Sequence, residues 1–236
     1  MSAKRIRGIL FDKDGTLLDF DATWPPAYRA VAEDLAQLAG DPGLAGRLMR
    51  LGGYRDDGAL DPTSVFACGS TAEIVAFCAA QPELAGHDEI AARVERLFTE
   101  FGARGPLIID DLAEILESLS ARGLTLGIAT NDNAAPAEAW VAHHGFGHFF
   151  PFVSGADSGY GAKPDPAVFE AFRAQTGLAA GEVCVVGDTI KDAQLARNAG
   201  AGLSVIVKSG VPAGDALAAL ADVVIDSVAE LEGVLG

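Results

Sequence analysis

Asp12 and Asp14 lie two residues apart, directly after the first apolar run of the chain, in the segment DKDGT. Unpaired like charges at this spacing raise each other's pKa and destabilise a fold. The spacing therefore indicates either a hard divalent cation bound by carboxylate oxygens or a division of acid and base roles between the two side chains. A DxD turn is common by itself, so the rest of the chain has to support a catalytic interpretation.

Three further polar segments follow in the order that a single active site would need. Thr130 comes directly after the apolar run 124–129 and precedes Asn131. Lys163 lies in the segment GAKPDP, and Asp188 and Asp192 lie in GDTIKD, after the run 183–186. Each alone has an ordinary explanation as a helix cap, a solvated loop residue or a surface acid. Their shared position, at a strand end or in the loop after one, predicts one common site.

The elements that would position these residues are short apolar runs without alternation. Such runs are typical of strands buried on both faces of a parallel sheet. The runs are Ile6 to Phe11, Leu124 to Ala129, Phe149 to Val153, Val183 to Val186, Leu203 to Val207 and Val223 to Ile225. Apolar residues at helical spacing lie between several of them, as at Leu112, Leu116 and Leu119. The pattern predicts an α/β fold with a doubly wound parallel sheet, which binds ligands at the carboxyl ends of its strands.

Residues 20–105 interrupt this rhythm with helical patterns and no convincing strand. We predict an inserted α-helical cap domain over the site, with residues 1–19 and 106–236 forming the catalytic core. The alternative is a second helical layer of one compact domain. Within the insertion, 51–71 is rich in turn residues and predicts a loop. Gly69, Ser70 and Thr71 are expected to face the site, where helix amides could meet an anion, or else Ser70 or Thr71 only caps that helix.

The composition bounds the partners and the compartment. The chain has 236 residues and a formal net charge of −16, which argues against nucleic acid or an anionic membrane as a partner. Its three cysteines lack the spacing of a disulfide framework or a zinc site. No stretch approaches the roughly 20 apolar residues of a membrane span, and the N-terminus does not read as a signal peptide. These features predict a cytoplasmic protein that attracts its ligand locally.

The four polar segments together resemble the motifs of the haloacid dehalogenase superfamily of hydrolases, in its phosphatase branch. DKDGT at 12–16 is similar to the first motif, Thr130 to the second, Lys163 to the third and GDTIKD at 187–192 to the fourth. The resemblance extends over nearly the whole chain, including a helical cap inserted after the first motif. It implies a Mg²⁺-dependent phosphatase that acts on a small phosphorylated metabolite.

By this resemblance, each motif residue has a role in a two-step reaction. Asp12 would attack phosphorus and form an aspartyl phosphate. Asp14 would protonate the leaving alkoxide and then activate water, and this second aspartate is what dehalogenases lack. Thr130 and Asn131 would hydrogen-bond the phosphoryl oxygens, and Lys163 would balance their charge.

The resemblance also implies a metal site. Asp12, the backbone carbonyl of Asp14 and Asp188 would hold Mg²⁺, with Asp192 in support. Lys13 stands where capped phosphatases usually have an apolar residue, and we expect its side chain to point off the reaction axis.

Substrate and outcome stay open at this point. Length and cap placement are similar to those of phosphoglycolate phosphatases, which makes 2-phosphoglycolate the first expectation. Arg47, Arg50 and Arg55 could pair with a substrate carboxylate or be solvated, and Trp24 is expected to pack. A sugar phosphomutase, a non-enzymatic phospho-accepting receiver-like module and a non-catalytic binding protein are the alternatives. The insertion at 20–105 argues against the receiver, whereas no residue separates mutase from phosphatase.

Overall fold

A six-stranded parallel sheet forms the centre of the computed structural model, which describes residues 6–210, 217 and 219–235. The strand order is β3-β2-β1-β4-β5-β6, and every neighbouring pair is parallel. The strands are β1 Gly8–Phe11, β2 Thr125–Ala129, β3 Phe152–Ser154, β4 Val183–Gly187, β5 Leu203–Val207 and β6 Val223–Ile225. All six predicted strands are confirmed within a few residues, and so is the α/β class.

The register of the central strands aligns the ends that carry the polar motifs. Phe11 of β1 is paired with Ile128 of β2 and with Val186 of β4. Asp12 is therefore level with the last residues of both neighbouring strands. Because parallel strands end at the same edge of a sheet, the motif residues that follow β1, β2 and β4 meet there.

Helices cover both faces of the sheet. Ile9 and Phe11 point into one core layer, whereas Leu10 packs into the other with Phe169 and Phe172. This alternation is expected of strands buried on both sides. The helices after β1 that belong to this layering are α6 Leu112–Ala121, α7 Ala134–His143, α8 Ala167–Thr176, α9 Ile190–Ala199 and α10 Leu231–Leu235.

Five helices form the long connection between β1 and α6. They are α1 Phe20–Ala39, α2 Leu44–Gly52, α3 Val65–Cys68, α4 Thr71–Ala79 and α5 Ile90–Gly102. Helix α1 packs against α2 and α5, and α5 also contacts α7. The loop prediction for 51–71 is wrong at its ends and over α3, whose N-cap is the Ser64 side chain. Among the described residues, no helix has the length and apolar character needed to cross a membrane.

Candidate active site

The turn after β1 is fixed by close packing around Gly15. Asp12 continues the sheet ladder, because its N–H donates to Val186 O at 2.7 Å. Gly15 has φ +80°, and a Cβ there would lie 2.5 Å from Asp188 Oδ2 and 2.8 Å from Gly210 Cα. Only glycine tolerates both the backbone conformation and this close approach. The first motif is thereby held against the fourth.

Asp12 and Lys163 form a buried ion pair at the end of the central strand. Lys163 Nζ lies 2.6 Å from Asp12 Oδ1 and 2.7 Å from Asp192 Oδ1. Burial raises the pKa of Asp12 to about 7, with Lys163 opposing the rise and Asp192 and Asp14 adding to it. Burial alone would lower the pKa of Lys163, but its two carboxylate partners raise it above its ordinary value. The lysine is therefore a fixed positive charge beside Asp12.

Asn131 holds the loop that presents Lys163. Its Oδ1 accepts the N–H of Lys163 at 2.8 Å, and its Nδ2 donates to Lys163 O at 3.3 Å. The resemblance implies that Asn131 hydrogen-bonds phosphoryl oxygens, and Asn131 does line the cavity described below, so this contact stays a prediction. In the structure its side-chain amide positions the lysine loop.

Asp14 accepts hydrogen bonds from three different segments. Lys13 Nζ and Trp24 Nε1 both donate to its Oδ1, at 2.7 and 2.8 Å, and Thr130 Oγ1 donates to its Oδ2 at 2.9 Å. Lys13 is not among the residues that line the cavity described below, so its position off the reaction axis stays a prediction, but its ammonium group contacts the second aspartate. Trp24, expected to do no more than pack, is also a direct partner of Asp14.

Asp132 is a site residue that sequence reasoning missed. Its Oδ2 lies 3.3 Å from Lys13 Nζ, and its Oδ1 accepts the hydroxyl of Thr71 at 3.1 Å. Burial raises the pKa of Asp132 to about 6, although the positive charge of Lys13 opposes the rise. Its sequence signal was an acid two positions after the motif threonine Thr130, in the segment NDN.

Three buried carboxylates form a group that could hold a metal ion. Oxygens of Asp12, Asp188 and Asp192 lie within 4.8 Å of one another. Mg²⁺ prefers hard oxygen ligands, so this donor set fits the ion that the sequence predicted. Asp192 Oδ2 already accepts from the N–H and the hydroxyl of Thr189, at 3.0 and 2.6 Å. Asp192 is thus held by the start of α9, and the side chain of Asp14 lies outside this group.

A cavity of about 60 Å³ separates the motif residues from the inserted helices. The lining residues are Asp12, Asp14, Phe20, Trp24, Tyr28, Phe66, Ala67, Cys68, Gly69, Thr71, Ile74, Phe98, Thr130, Asn131, Asp132, Lys163 and Thr189. The lining combines carboxylates and Lys163 with several aromatic rings.

The loop before α4 reaches this cavity through Gly69 and Thr71, as predicted. Ser70 caps α4 in a capping box with Glu73, which is the alternative that the sequence left open. The amides of Ser70 and Thr71 already donate to Glu73 Oε2 and Asn131 O. They are therefore not available to a substrate anion in this arrangement.

The arginines proposed for a substrate carboxylate lie elsewhere. Arg47 is partly exposed, pairs with Asp41 and Glu83, and does not line the described cavity. Arg50 and Arg55 are also absent from the described cavity lining. Among the described residues that line the cavity, Lys163 carries the only cationic side chain.

Comparison with known proteins identifies the family. A model of haloacid dehalogenase-like hydrolases matches residues 6–200. The phosphoglycolate phosphatase of Vibrio vulnificus (strain YJ016) is 30% identical over 98% of this chain and 96% of its own, and that of Vibrio cholerae is 30% identical over 84% and 82%.

Solved structures share the fold at lower identity. A HAD phosphatase from Thermococcus onnurineus has a TM-score of 0.72 at 22% identity, covering 98% of both chains. A Thermotoga maritima protein with a beta-phosphoglucomutase assignment has a TM-score of 0.66 at 21% identity, again covering 98% of both chains. With the matched motifs in one site, the chain belongs to the haloacid dehalogenase-like hydrolase family.

Proposed function

We propose that this phosphoric monoester hydrolase cleaves a small phosphate monoester in two steps, through a phosphorylated Asp12. The observation that carries the proposal is the buried Asp12 carboxylate at the end of β1, 2.6 Å from Lys163 Nζ and facing a cavity. In the first step an Asp12 oxygen attacks phosphorus while the ester P–O bond breaks. Water then attacks the aspartyl phosphate and releases inorganic phosphate, so that one hard displacement becomes two easier ones.

Asp14 is the residue we propose for proton transfer. It lies beside Asp12 on the cavity wall and is partly exposed to it. A carboxylic acid there would give a proton to the leaving alkoxide, and the resulting carboxylate would take one from the attacking water. Asp12 pairs with Lys163 and Asp14 pairs with Lys13, so each carboxylate is held by a different cation, which supports separate roles for the two.

Lys163 and Thr130 are proposed to stabilise the transferring phosphoryl group. Lys163 is a fixed, buried cation next to the nucleophile, and Thr130 offers a hydroxyl at the end of β2. Positive charge and hydrogen-bond donors held in a dry site stabilise developing negative charge without having to reorganise. Asn131 contributes by holding the lysine loop in place.

Asp12 and Asp188 are proposed to hold Mg²⁺, together with the backbone carbonyl of Asp14 and with support from Asp192. The buried oxygen-only donor set of Asp12, Asp188 and Asp192 supports this choice. When bound, Mg²⁺ supplies positive charge that offsets the phosphate and the surrounding carboxylates. A chain with a net charge of −16 repels a phosphate at long range, and a bound cation would attract the phosphate locally.

Residues 20–105 are proposed to act as a cap domain over a core of residues 1–19 and 106–236, of which 1–5, 211–216, 218 and 236 lie outside the described part. The inserted helices supply Trp24, Tyr28, Phe66 and Phe98 to the cavity wall. A cap that closes over the strand ends excludes water and leaves room only for a small ester.

For the substrate, 2-phosphoglycolate is the first candidate, because the curated relatives at about 30% identity carry that name. A second candidate class is favoured by the cavity itself. Its described lining has several aromatic rings and no cation besides Lys163. This surface suits an ester whose leaving group is short and uncharged, because a carboxylate buried there would lack a partner.

The test is a panel of small phosphate monoesters, assayed with Mg²⁺ for inorganic phosphate and for isomerised ester. Release of phosphate from 2-phosphoglycolate or from a short uncharged ester supports the hydrolase. Accumulation of an isomer in place of phosphate would support the sugar phosphomutase instead. If no ester on the panel releases phosphate, the proposal is contradicted. Family membership as a hydrolase already argues against the receiver-like module.

A further inference from the structure

The two oxygens of Asp14 have different surroundings. Oδ1 accepts two N–H donors, Lys13 Nζ at 2.7 Å and Trp24 Nε1 at 2.8 Å. Neither donor could accept a hydrogen bond from Oδ1 if that oxygen were protonated, because an ammonium group and an indole N–H only donate. Oδ1 is therefore committed to accepting hydrogen bonds.

Oδ2 meets a partner of another kind, the hydroxyl of Thr130 at 2.9 Å. A hydroxyl can donate or accept by rotating its hydrogen. Oδ2 can therefore carry a proton in one step and lose it in the next without leaving a buried group unsatisfied. The side chain of Asp14 is less buried than that of Lys13, and Asp14 lines the cavity.

Lys13 and Trp24 are themselves rigidly placed. The Lys13 side chain is 0% exposed, pairs with Asp132 on its other side, and has its ammonium group 5.3 Å from the centre of the Trp24 ring. Trp24 also packs edge-on against Phe98 and stacks with Tyr28. An isolated buried ammonium group would be costly, and the two carboxylates and the ring offset that cost.

We infer that Lys13 and Trp24 are positioning residues that hold Oδ1 of Asp14, so that Oδ2 is the oxygen that exchanges the proton with substrate. This inference rests on the proposed function, in which Asp14 is the acid and base. The proton leaves Oδ2 for the ester oxygen as the P–O bond breaks and the Asp12–P bond forms. The attacking water later returns a proton to Oδ2. Since Trp24 belongs to the inserted α1, the orientation of the acid depends on that segment.

The test uses the dependence of rate on the leaving group. An alkyl alkoxide needs a proton to leave, whereas a nitrophenolate does not. For Lys13→Met and Trp24→Phe, we expect single-turnover alcohol release from a short alkyl phosphate to fall about 10- to 100-fold. Release of p-nitrophenol from p-nitrophenyl phosphate should fall less than about threefold. Trp24→Phe keeps an aromatic ring and removes only the N–H donor and part of the ring surface. If Lys13→Met does not fold, the test is made with Trp24→Phe alone.

Trp140→Phe is the matched control. Trp140 Nε1 donates to Gly105 O at 2.8 Å in the core, away from the described cavity lining. This variant should lower thermal stability and leave the ratio of the two release rates unchanged. An equal loss on both esters in Lys13→Met and Trp24→Phe, matching this control, would overturn the inference.

Asp14→Asn separates failure of this inference from failure of the proposed function. If Asp14→Asn slows alkyl release much more than nitrophenol release, Asp14 is the acid. In that case, an equal loss on both esters in Lys13→Met and Trp24→Phe refutes only the positioning role of these two residues. If Asp14→Asn shows no preference between the two esters, the proposed role of Asp14 fails, and the inference fails with it.

Discussion

The buried Asp12 carboxylate should make the metal-free protein less stable as pH rises. Its pKa is about 7 in the folded chain, raised from 3.8 mainly by burial. Between these two values the folded state holds a proton that the unfolded state has lost. The free energy of unfolding therefore falls with increasing pH in this window, by about 1.4 kcal/mol per unit at most. From pH 5 to pH 8 the loss attributable to Asp12 is about 2 to 3 kcal/mol.

Asp12→Asn removes this titration while keeping the shape of the side chain. In chelator, its melting temperature should fall between pH 5 and pH 8 by about 5 to 10 °C less than that of the wild type. Asp56→Asn, at an exposed carboxylate, is the control and should behave as wild type. Adding Mg²⁺ at pH 8 should stabilise the wild type and have little effect on Asp12→Asn. Equal pH dependence of the wild type and Asp12→Asn would refute the reasoning about the buried charge.

Three further predictions concern the metal, the turn and the cap. Chelation should abolish activity, Mg²⁺ should restore it and Ca²⁺ should inhibit, because Ca²⁺ takes a looser shell of about 6 to 8 ligands; full activity in excess chelator would exclude the metal role. Gly15→Ala should cost at least about 1 to 2 kcal/mol of stability in urea unfolding, given φ +80° and the contact with Asp188; an unchanged midpoint would contradict this. Ser70→Ala should lower the melting temperature by about 2 to 4 °C, because the α4 cap is lost. The ratios of kcat/KM among small esters should stay unchanged. Altered ratios would assign Ser70 a role in substrate selection.

Much of the core could be predicted because its strands can be recognised from short stretches of sequence. Strands buried on both faces give uninterrupted apolar runs, and their shared edge explains why Asp12, Thr130 and Asp188 come together. Each of these residues follows its own strand directly, so strand order and register bring them together without further information.

The surroundings of Asp14 could not be predicted in this way. Lys13 contacts Asp132 across 119 positions of sequence, and Trp24 reaches Asp14 only because α1 folds back over the strand end. A lysine in a motif turn is exposed in most contexts, and its burial here follows from two carboxylates that meet only in the folded chain.

The inserted helices show the same limit. Helical spacing predicted α1 and α5, but it carried no information on which face lines the cavity. Arg47 was a reasonable candidate for a substrate carboxylate from its charge alone. In the structure Arg47 pairs with Asp41 and Glu83 and is absent from the described cavity lining. Ser70 was correctly allowed two roles, and the capping box favours the structural one.

The most direct test of the phosphorylated Asp12 is to trap it. In Asp14→Asn, p-nitrophenyl phosphate should still phosphorylate the enzyme, since its leaving group needs no proton, whereas hydrolysis of the intermediate loses its base. Acid quenching followed by peptide mapping by mass spectrometry should then place a phosphoryl group on Asp12, with none in the Asp12→Asn/Asp14→Asn double variant. A phosphoryl group on any other residue, or nitrophenol release from the double variant at the rate of Asp14→Asn, would contradict the account.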